Sequence, residues 1–295
     1  MPKDHVPILR QVQRQGSLQI QKTDNREPPK RMDQTLNRMP KMKKFYFCAC
    51  SFGKDSLATV LLALHHNEPL DEVVFTEVMY DNQRGISGED PRHIEWVYNH
   101  AKPMLEAMGV KVRILHTQDY MSIFHHVITK SKHPDRNGKI RAFPIANRCV
   151  ILRDCKLRTM QQYIREVKKE HKEWYQYVGI AADETERLNR KNMDGHKISL
   201  LAKYQYTEKM AYDLCKRYNL LSPQYEVAHR NGCWFCPNRT TQTMAEFKQQ
   251  YPELWNELLE LGKTPNKVSP CFKYNKTIEE VDKEVNFTIR QLKLF

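Results

Sequence analysis

Three groups of residues in this sequence have the types and spacing for chemistry beyond packing. Ser51-Phe52-Gly53-Lys54-Asp55-Ser56 puts two hydroxyls, a glycine, a cation and a carboxylate into one short stretch. Set between a strand and a helix, such a turn aims free backbone N–H groups at a bound anion, and the helix dipole adds to the attraction. Gly53 lets the backbone come close to that anion, Ser51 and Ser56 supply hydroxyl donors, and Lys54 supplies charge. The second group is Asp183, Glu184 and Arg187, followed by Arg190 and Lys191. An arginine there can clamp phosphate or sulfate through two parallel hydrogen bonds, while Asp183 or Glu184 holds a metal ion or orients it. The third group is thiols: Cys149 and Cys155 in C-x5-C, Cys233 and Cys236 in C-x-x-C. Four thiolates from two distant segments suit one tetrahedral site, and zinc and a four-iron cluster both accept four cysteines. Two plainer readings stay open, Cys155 as a core residue and Cys233 with Cys236 as a redox dithiol.

These groups need particular elements to position them. Phe45-Tyr46-Phe47-Cys48-Ala49-Cys50 reads as a buried parallel strand, and residues 57–65 have apolar residues at helical density. The first group is therefore a strand–turn–helix junction. It is not a Walker A loop, which needs a glycine where Cys48 stands and Ser or Thr where Asp55 stands. Further strands are expected over residues 71–79, 110–115 and 174–182, with a glycine-containing loop over 80–90. Ile94, Val97, Tyr98, Ala101, Leu105 and Met108 mark one face of a helix that Pro103 should kink. Leu157, Met160, Ile164 and Val167 line another helix, and residues 130–141 form a basic loop. Alternation of this kind predicts an α/β fold, a parallel sheet covered by helices on both faces. After about Leu220 the pattern becomes helical, with capping boxes expected at Thr243–Glu246 and Thr277–Glu280. We therefore expect a basic arm over 1–42 (with a short amphipathic helix around 8–20), a nucleotide-binding domain over 43–220, and a helical region carrying the C-x-x-C over 221–295.

The chain has 295 residues and a net charge of +13. Its first 44 residues carry eleven Lys/Arg against four Asp/Glu, so over half of the excess lies in that stretch. Such a surplus suits a polyanion, whether nucleotide, sulfate ester or nucleic acid. No apolar run approaches the ~20 residues of a membrane helix, and no apolar leader opens the chain, so a cytoplasmic setting with reduced or metal-bound thiols is expected. Cys48 and Cys50 alternate on the first strand and pack on one side, and Cys215 shares a helical face with Ala211.

The loop resembles the S-G-G-K-D-S pyrophosphate loop of the PP-loop adenine-nucleotide superfamily, departing only at Phe52. S-F-G is itself similar to the form in sulfonucleotide reductases. Gly179-Ile180-Ala181-Ala182-Asp183-Glu184 with Arg187 looks like the fourth-strand motif of the phosphoadenosine phosphosulfate (PAPS) reductase family. Residues 84–89, 93–98 and 231–238 resemble a bacterial and phage-associated branch of it, and the resemblance runs from about Lys44 to about Leu261. It implies a Rossmann-like α/β/α sandwich, adenine nucleotide alpha-hydrolase-like, with a small helical C-terminal region. It implies an enzyme binding an adenine nucleotide, PAPS or ATP with Mg2+, through Ser51, Phe52, Gly53, Lys54, Asp55, Ser56, Glu184 and Arg187. The catalytic set would be Lys54, Asp55, Asp183 and Arg187. It favours an iron–sulfur cluster over zinc at Cys149, Cys155, Cys233 and Cys236, and a thiol or iron–sulfur donor as partner. Two reactions fit: reduction of a sulfonucleotide, or ATP-dependent sulfur modification of a nucleic acid with release of pyrophosphate, the basic arm and loop serving the latter. A non-catalytic nucleotide-binding module is the third reading. Cys271 lacks the sequence context of the reductases' C-terminal nucleophile, so it receives no role.

Overall fold

β1 (Phe45–Ala49) lies at the centre of a sheet because it is apolar on both faces, with Phe47 and Cys48 buried on opposite sides. The computed structural model describes residues 44–116, 118–144, 149–190, 193, 195–226 and 232–292. The arm expected over 1–42, its helix, and Lys191 lie outside the described residues. Residues 42–295 form one compact unit.

From β1 the chain enters α1 (Lys54–His65), whose residues from Ser56 to Ala63 are all buried. β2 (Glu72–Thr76) follows and pairs in parallel with β1, Cys48 opposite Val73. The segment expected as a loop instead folds back as an antiparallel hairpin, β3 (Met79–Asp81) and β4 (Ile86–Ser87). The expected helix over 93–108 is present in three pieces, α2 (Pro91–Trp96), a π-turn (Val97–Ala101) and α3 (Lys102–Ala107). Pro103 has no N–H to give the preceding turn. The backbone widens just before it, and the Lys102 N–H reaches back to the Val97 carbonyl. β5 (Val112–Leu115) and the short α4 (Tyr120–Phe124) come next. A second π-turn (Leu152–Leu157) opens α5 (Arg158–Glu170) and carries Cys155. β6 (Trp174–Val178), α6 (Thr185–Leu188), β7 (Lys197–Ile198), α7 (Leu200–Lys203) and α8 (Glu208–Arg217) complete this half.

The five-stranded sheet has the order β5-β2-β1-β6-β7 and every pairing in it is parallel. β7 was not expected, because two residues are too few to show a period. One face packs Cys48, Val73, Phe75 and Tyr177 against α1 and α8, and the other packs Phe47, Val74 and Trp174 against Tyr163 and Val167 of α5. This is the α/β/α layering expected. The chain moves outward from β1 through β2 to β5, then crosses back to β6. The strand order therefore reverses between β1 and β6, where open α/β sheets bind ligands at the carboxyl ends of their strands.

The remaining elements are α9 (Thr241–Gln250), α10 (Pro252–Gly262), the hairpin β8 (Cys271–Lys273) with β9 (Lys276–Thr277), and α11 (Ile278–Leu292). Trp234, Phe247, Trp255, Ile278 and Val285 share one core with Val78, Tyr80, Tyr120 and Cys155. Thr277 and Glu280 form the reciprocal capping box, but α9 is capped by Thr240, not Thr243. No described helix is long and apolar enough to cross a membrane.

Candidate active site

Residues 51–56 leave the end of β1 and residues 179–184 leave the end of β6, so both sequence groups meet in the crevice where the strand order reverses. Their approach is close. A Cβ at Gly179 would stand 2.7 Å from the Ser56 nitrogen, so only glycine lets β6 press against the first turn of α1. Phe52, the one departure from the resembled loop, has a φ of 55°. That left-handed conformation costs a side-chain-bearing residue roughly 1–2 kcal/mol. Burial offsets it: the ring is wholly inaccessible and meets Phe75 edge-on at 5.2 Å. Gly53 stands as N-cap of α1 with no side-chain cap.

Charge is balanced tightly around the loop. Lys54 Nζ lies 2.9 Å from Asp55 and 2.8 Å from Glu208. Burial works against the Lys54 charge, but hydrogen bonds to Glu208 and Asp55 prevail and hold its pKa above the ordinary value. Burial raises the Asp55 carboxyl despite Lys54, with Glu208 and Glu184 adding to the rise. Asp183 accepts the Glu208 N–H at 3.2 Å. Glu184 accepts the Ala181 N–H at 3.0 Å and pairs with Arg187 at 2.5 Å. Four carboxylates thus surround one lysine and one arginine, and Arg190 is exposed beyond them.

The loop itself is fastened from several sides. Ser56 Oγ accepts the Ser51 N–H at 3.2 Å and donates to the Gly53 carbonyl at 3.0 Å. Cys50 Sγ accepts the Phe52 N–H, and burial pushes the Cys50 thiol up to about 11. The first N–H of α1, on Lys54, donates to the Tyr225 hydroxyl at 2.9 Å. Buried His93 bridges the Ser51 carbonyl at 3.1 Å and the Ser222 hydroxyl at 2.9 Å. Tyr225, Glu208 and Ser222 were not singled out in the sequence, and His93 entered only as the first residue of a resembled segment, without a role. Their distance along the chain from the loop left no local signal to find them by.

The thiols lie on the second core. Cys149 is exposed and accepts the Leu152 N–H at 3.3 Å, while Cys155 is 1% exposed in the π-turn. Burial lifts the Cys155 thiol to about 12, Cys233 well above its ordinary range, and Cys236 above it as well. Cys149 lies within electrostatic reach of Cys155, Cys233 and Cys236. The structure therefore gathers the two predicted cysteine segments into one neighbourhood. A donor set of four soft thiols fits zinc or an iron–sulfur cluster. Among the described residues, however, no three His, Cys, Asp or Glu side chains already form a metal-binding group. The C-x-x-C loop is seated by Trp234, whose backbone and indole N–H groups donate to the Gly88 and Ser87 carbonyls. A Cβ on Gly88 would stand 2.8 Å from the Phe235 ring.

Between the loop and the thiols stands an ion pair with a buried carboxylate and a partly exposed lysine. Lys156 Nζ is 2.9 Å from Glu89, which is 3% exposed. Burial opposes the Lys156 charge, but Glu89 and the neighbouring Cys233 raise its pKa above the ordinary value. His93 lies within electrostatic reach of both members of this pair and also bonds the Ser51 carbonyl, so it stands between residues 51–56 and the thiols. Cys48, Cys50 and Cys215 are buried in the sheet core, as expected.

Neither the family models nor the curated proteins contain a match to this chain. Among solved structures, the chain is similar to the U34-tRNA thiolase NcsA from Methanococcus maripaludis with its 4Fe-4S cluster. The likeness has 16% identity, covers 83% of this chain and 73% of that one, and has a TM-score of 0.38.

Proposed function

We propose that the protein is a PP-loop enzyme that binds ATP with Mg2+ at the β1–α1 junction and uses it in sulfur-transfer chemistry with release of pyrophosphate. The observation that carries this reading over a sulfonucleotide is the acid-rich surround of the loop: Lys54 is held by Asp55 and Glu208, Glu184 lies within electrostatic reach of Asp55, and Asp183 accepts the Glu208 N–H. A phosphate chain entering there needs its cation, and MgATP brings one. Residues 51–56 would cradle the β- and γ-phosphates through backbone N–H groups and hydroxyls, Tyr225 yielding the Lys54 N–H. Arg187 would exchange Glu184 for phosphate. An acceptor oxygen then attacks the α-phosphorus, the bond to the bridging α–β oxygen breaks, and pyrophosphate leaves with its charge held by Lys54 and the helix N-terminus. Cys149, Cys155, Cys233 and Cys236 would hold a cluster that, when bound, supplies sulfur or electrons to the activated acceptor.

Reduction of PAPS is the second reading, favoured by Cys233 of the C-x-x-C beside Lys156, whose charge works against the burial that otherwise keeps this thiol protonated. There a thiolate attacks the sulfonate sulfur, the adenosine bisphosphate leaves with the bridging oxygen, and an S-sulfocysteine remains.

Isothermal titration with MgATP, ADP and PAPS tests the proposal. ATP binding should vanish in Lys54→Ala with Ser56→Ala, and anaerobically purified protein should release pyrophosphate when given its acceptor. Unchanged ATP affinity in that variant would remove the reading. Sulfite from PAPS would select the second, and binding without either product a regulatory module.

A further inference from the structure

Positive charge gathers beside Cys149 in an arrangement the nucleotide chemistry does not use. Asp154, in the second π-turn and 4% exposed, accepts two hydrogen bonds of 2.7 Å from Arg153. Arg158 reaches the same carboxylate at 2.9 Å and Arg141 at 3.8 Å. Arg153 holds the Asp154 carboxyl below its usual range, with Arg158 and Arg141 assisting. One carboxylate thus fixes three guanidinium groups and leaves a surplus of two charges. Arg153 and Arg158 are 54% and 63% exposed, so they face solvent in an orientation already set.

Arg141 also ends a basic finger. Residues expected as a loop form a hydrogen-bonded ribbon: Val127 pairs with Ile140, and the Ile128 N–H donates to the Lys139 carbonyl at 3.0 Å. Its outer strand is pinned by residues 266–268, with Ile140 N–H on the Asn266 carbonyl and Val268 N–H on the Ile140 carbonyl, each at 2.9 Å. Lys130, Lys132 and Arg136 are exposed along it, and Asp135 is the one carboxylate between Lys130 and Arg141. Exposed Leu152 and Leu157 flank the arginines with apolar surface.

We infer that this face, the finger with Arg141, Arg153 and Arg158, docks the phosphodiester backbone of a nucleic acid and presents a nucleotide to the exposed Cys149 beside Arg153. Arginine forks match phosphate geometry, and the anchoring of three of them on Asp154 keeps their orientation cost low. The inference rests on the proposed sulfur-transfer reading and names its acceptor class.

The test uses the full chain and fluorescence anisotropy with bulk transfer RNA and with a short DNA duplex, across a salt series. Arg153→Gln with Arg158→Gln should weaken the tighter complex at least about tenfold and flatten its salt dependence by about two phosphate contacts. The charge-matched Lys216→Gln with Arg217→Gln, on exposed α8 positions, should change affinity less than about twofold. Arg158→Gln alone, retaining Arg153 on Asp154, reports the same trend should the double variant unfold. Equal losses from both pairs, or no binding by the wild type at low salt, overturn the inference. The tighter of the two probes identifies the nucleic acid. ATP affinity is measured on the same proteins: it should be unchanged in every variant. Docking without any ATP binding would sink the functional reading and leave this face standing.

Discussion

Phe52 shows how a single residue shapes the candidate site. Phe52→Gly relieves roughly 1–2 kcal/mol of left-handed strain but empties a fully buried aromatic position, a loss of about 3–5 kcal/mol for comparable truncations. A net destabilisation of ~2 kcal/mol is expected in a urea melt. Gly179→Ala acts by the opposite route. Its new Cβ would meet the start of α1, so nucleotide affinity should drop more than about tenfold while far-ultraviolet dichroism stays the same. Titration calorimetry on that variant checks it. The loop residues and the acidic–arginine group were legible in the sequence because each is a contiguous stretch whose chemistry depends on order alone. Glu208 and Tyr225, and the role of His93, were not, because only the packing of distant segments brings them to the loop.

At the scale of elements, what joins the two ends of the site is the contact between the β4–α2 turn and the π-turn before α5. Lys156→Ala would leave Glu89 without its cation, and about 1–3 kcal/mol of stability should go with it. Lys156→Met with Glu89→Gln should lose much less, and a double-mutant cycle by chemical denaturation separates the two outcomes. The strands of this scaffold could be read from apolar runs, since a parallel strand buried on both faces announces itself by composition. The π-turns could not. Pro103 signalled a break in regularity, yet whether a helix kinks, ends or widens is decided by what its neighbours leave room for. The hairpin β3–β4 and the pinned finger escaped notice for a related reason: their pairing partners are short, polar, or far along the chain.

The whole molecule should respond to acid in two stages. Burial holds His93 below its ordinary value of 6.5, so its neutral form is favoured on folding, with Glu89, Asp90 and Lys156 facing it. Stability is complete above about pH 6.5 and drains as the pH falls below that, because the unfolded chain takes up the proton first. Asp154 and Glu72 lie below their ordinary values of 3.8 and 4.5, so their contribution is complete above those values and is lost as pH falls through the folded ones. Urea midpoints from about pH 8 to pH 3 should show both declines, and His93→Gln should abolish the upper one alone. The core beneath the C-x-x-C loop has a different reach. Trp234 and Phe235 rest on Tyr80 and Tyr120 from one side and share their packing with Phe272, Ile278 and Val285 near the chain's end. The last helix is thus the foundation on which the C-x-x-C loop stands. A lesion there should first reveal itself as altered reactivity of Cys233 and Cys236 towards a thiol probe, well before the β1–α1 junction is disturbed.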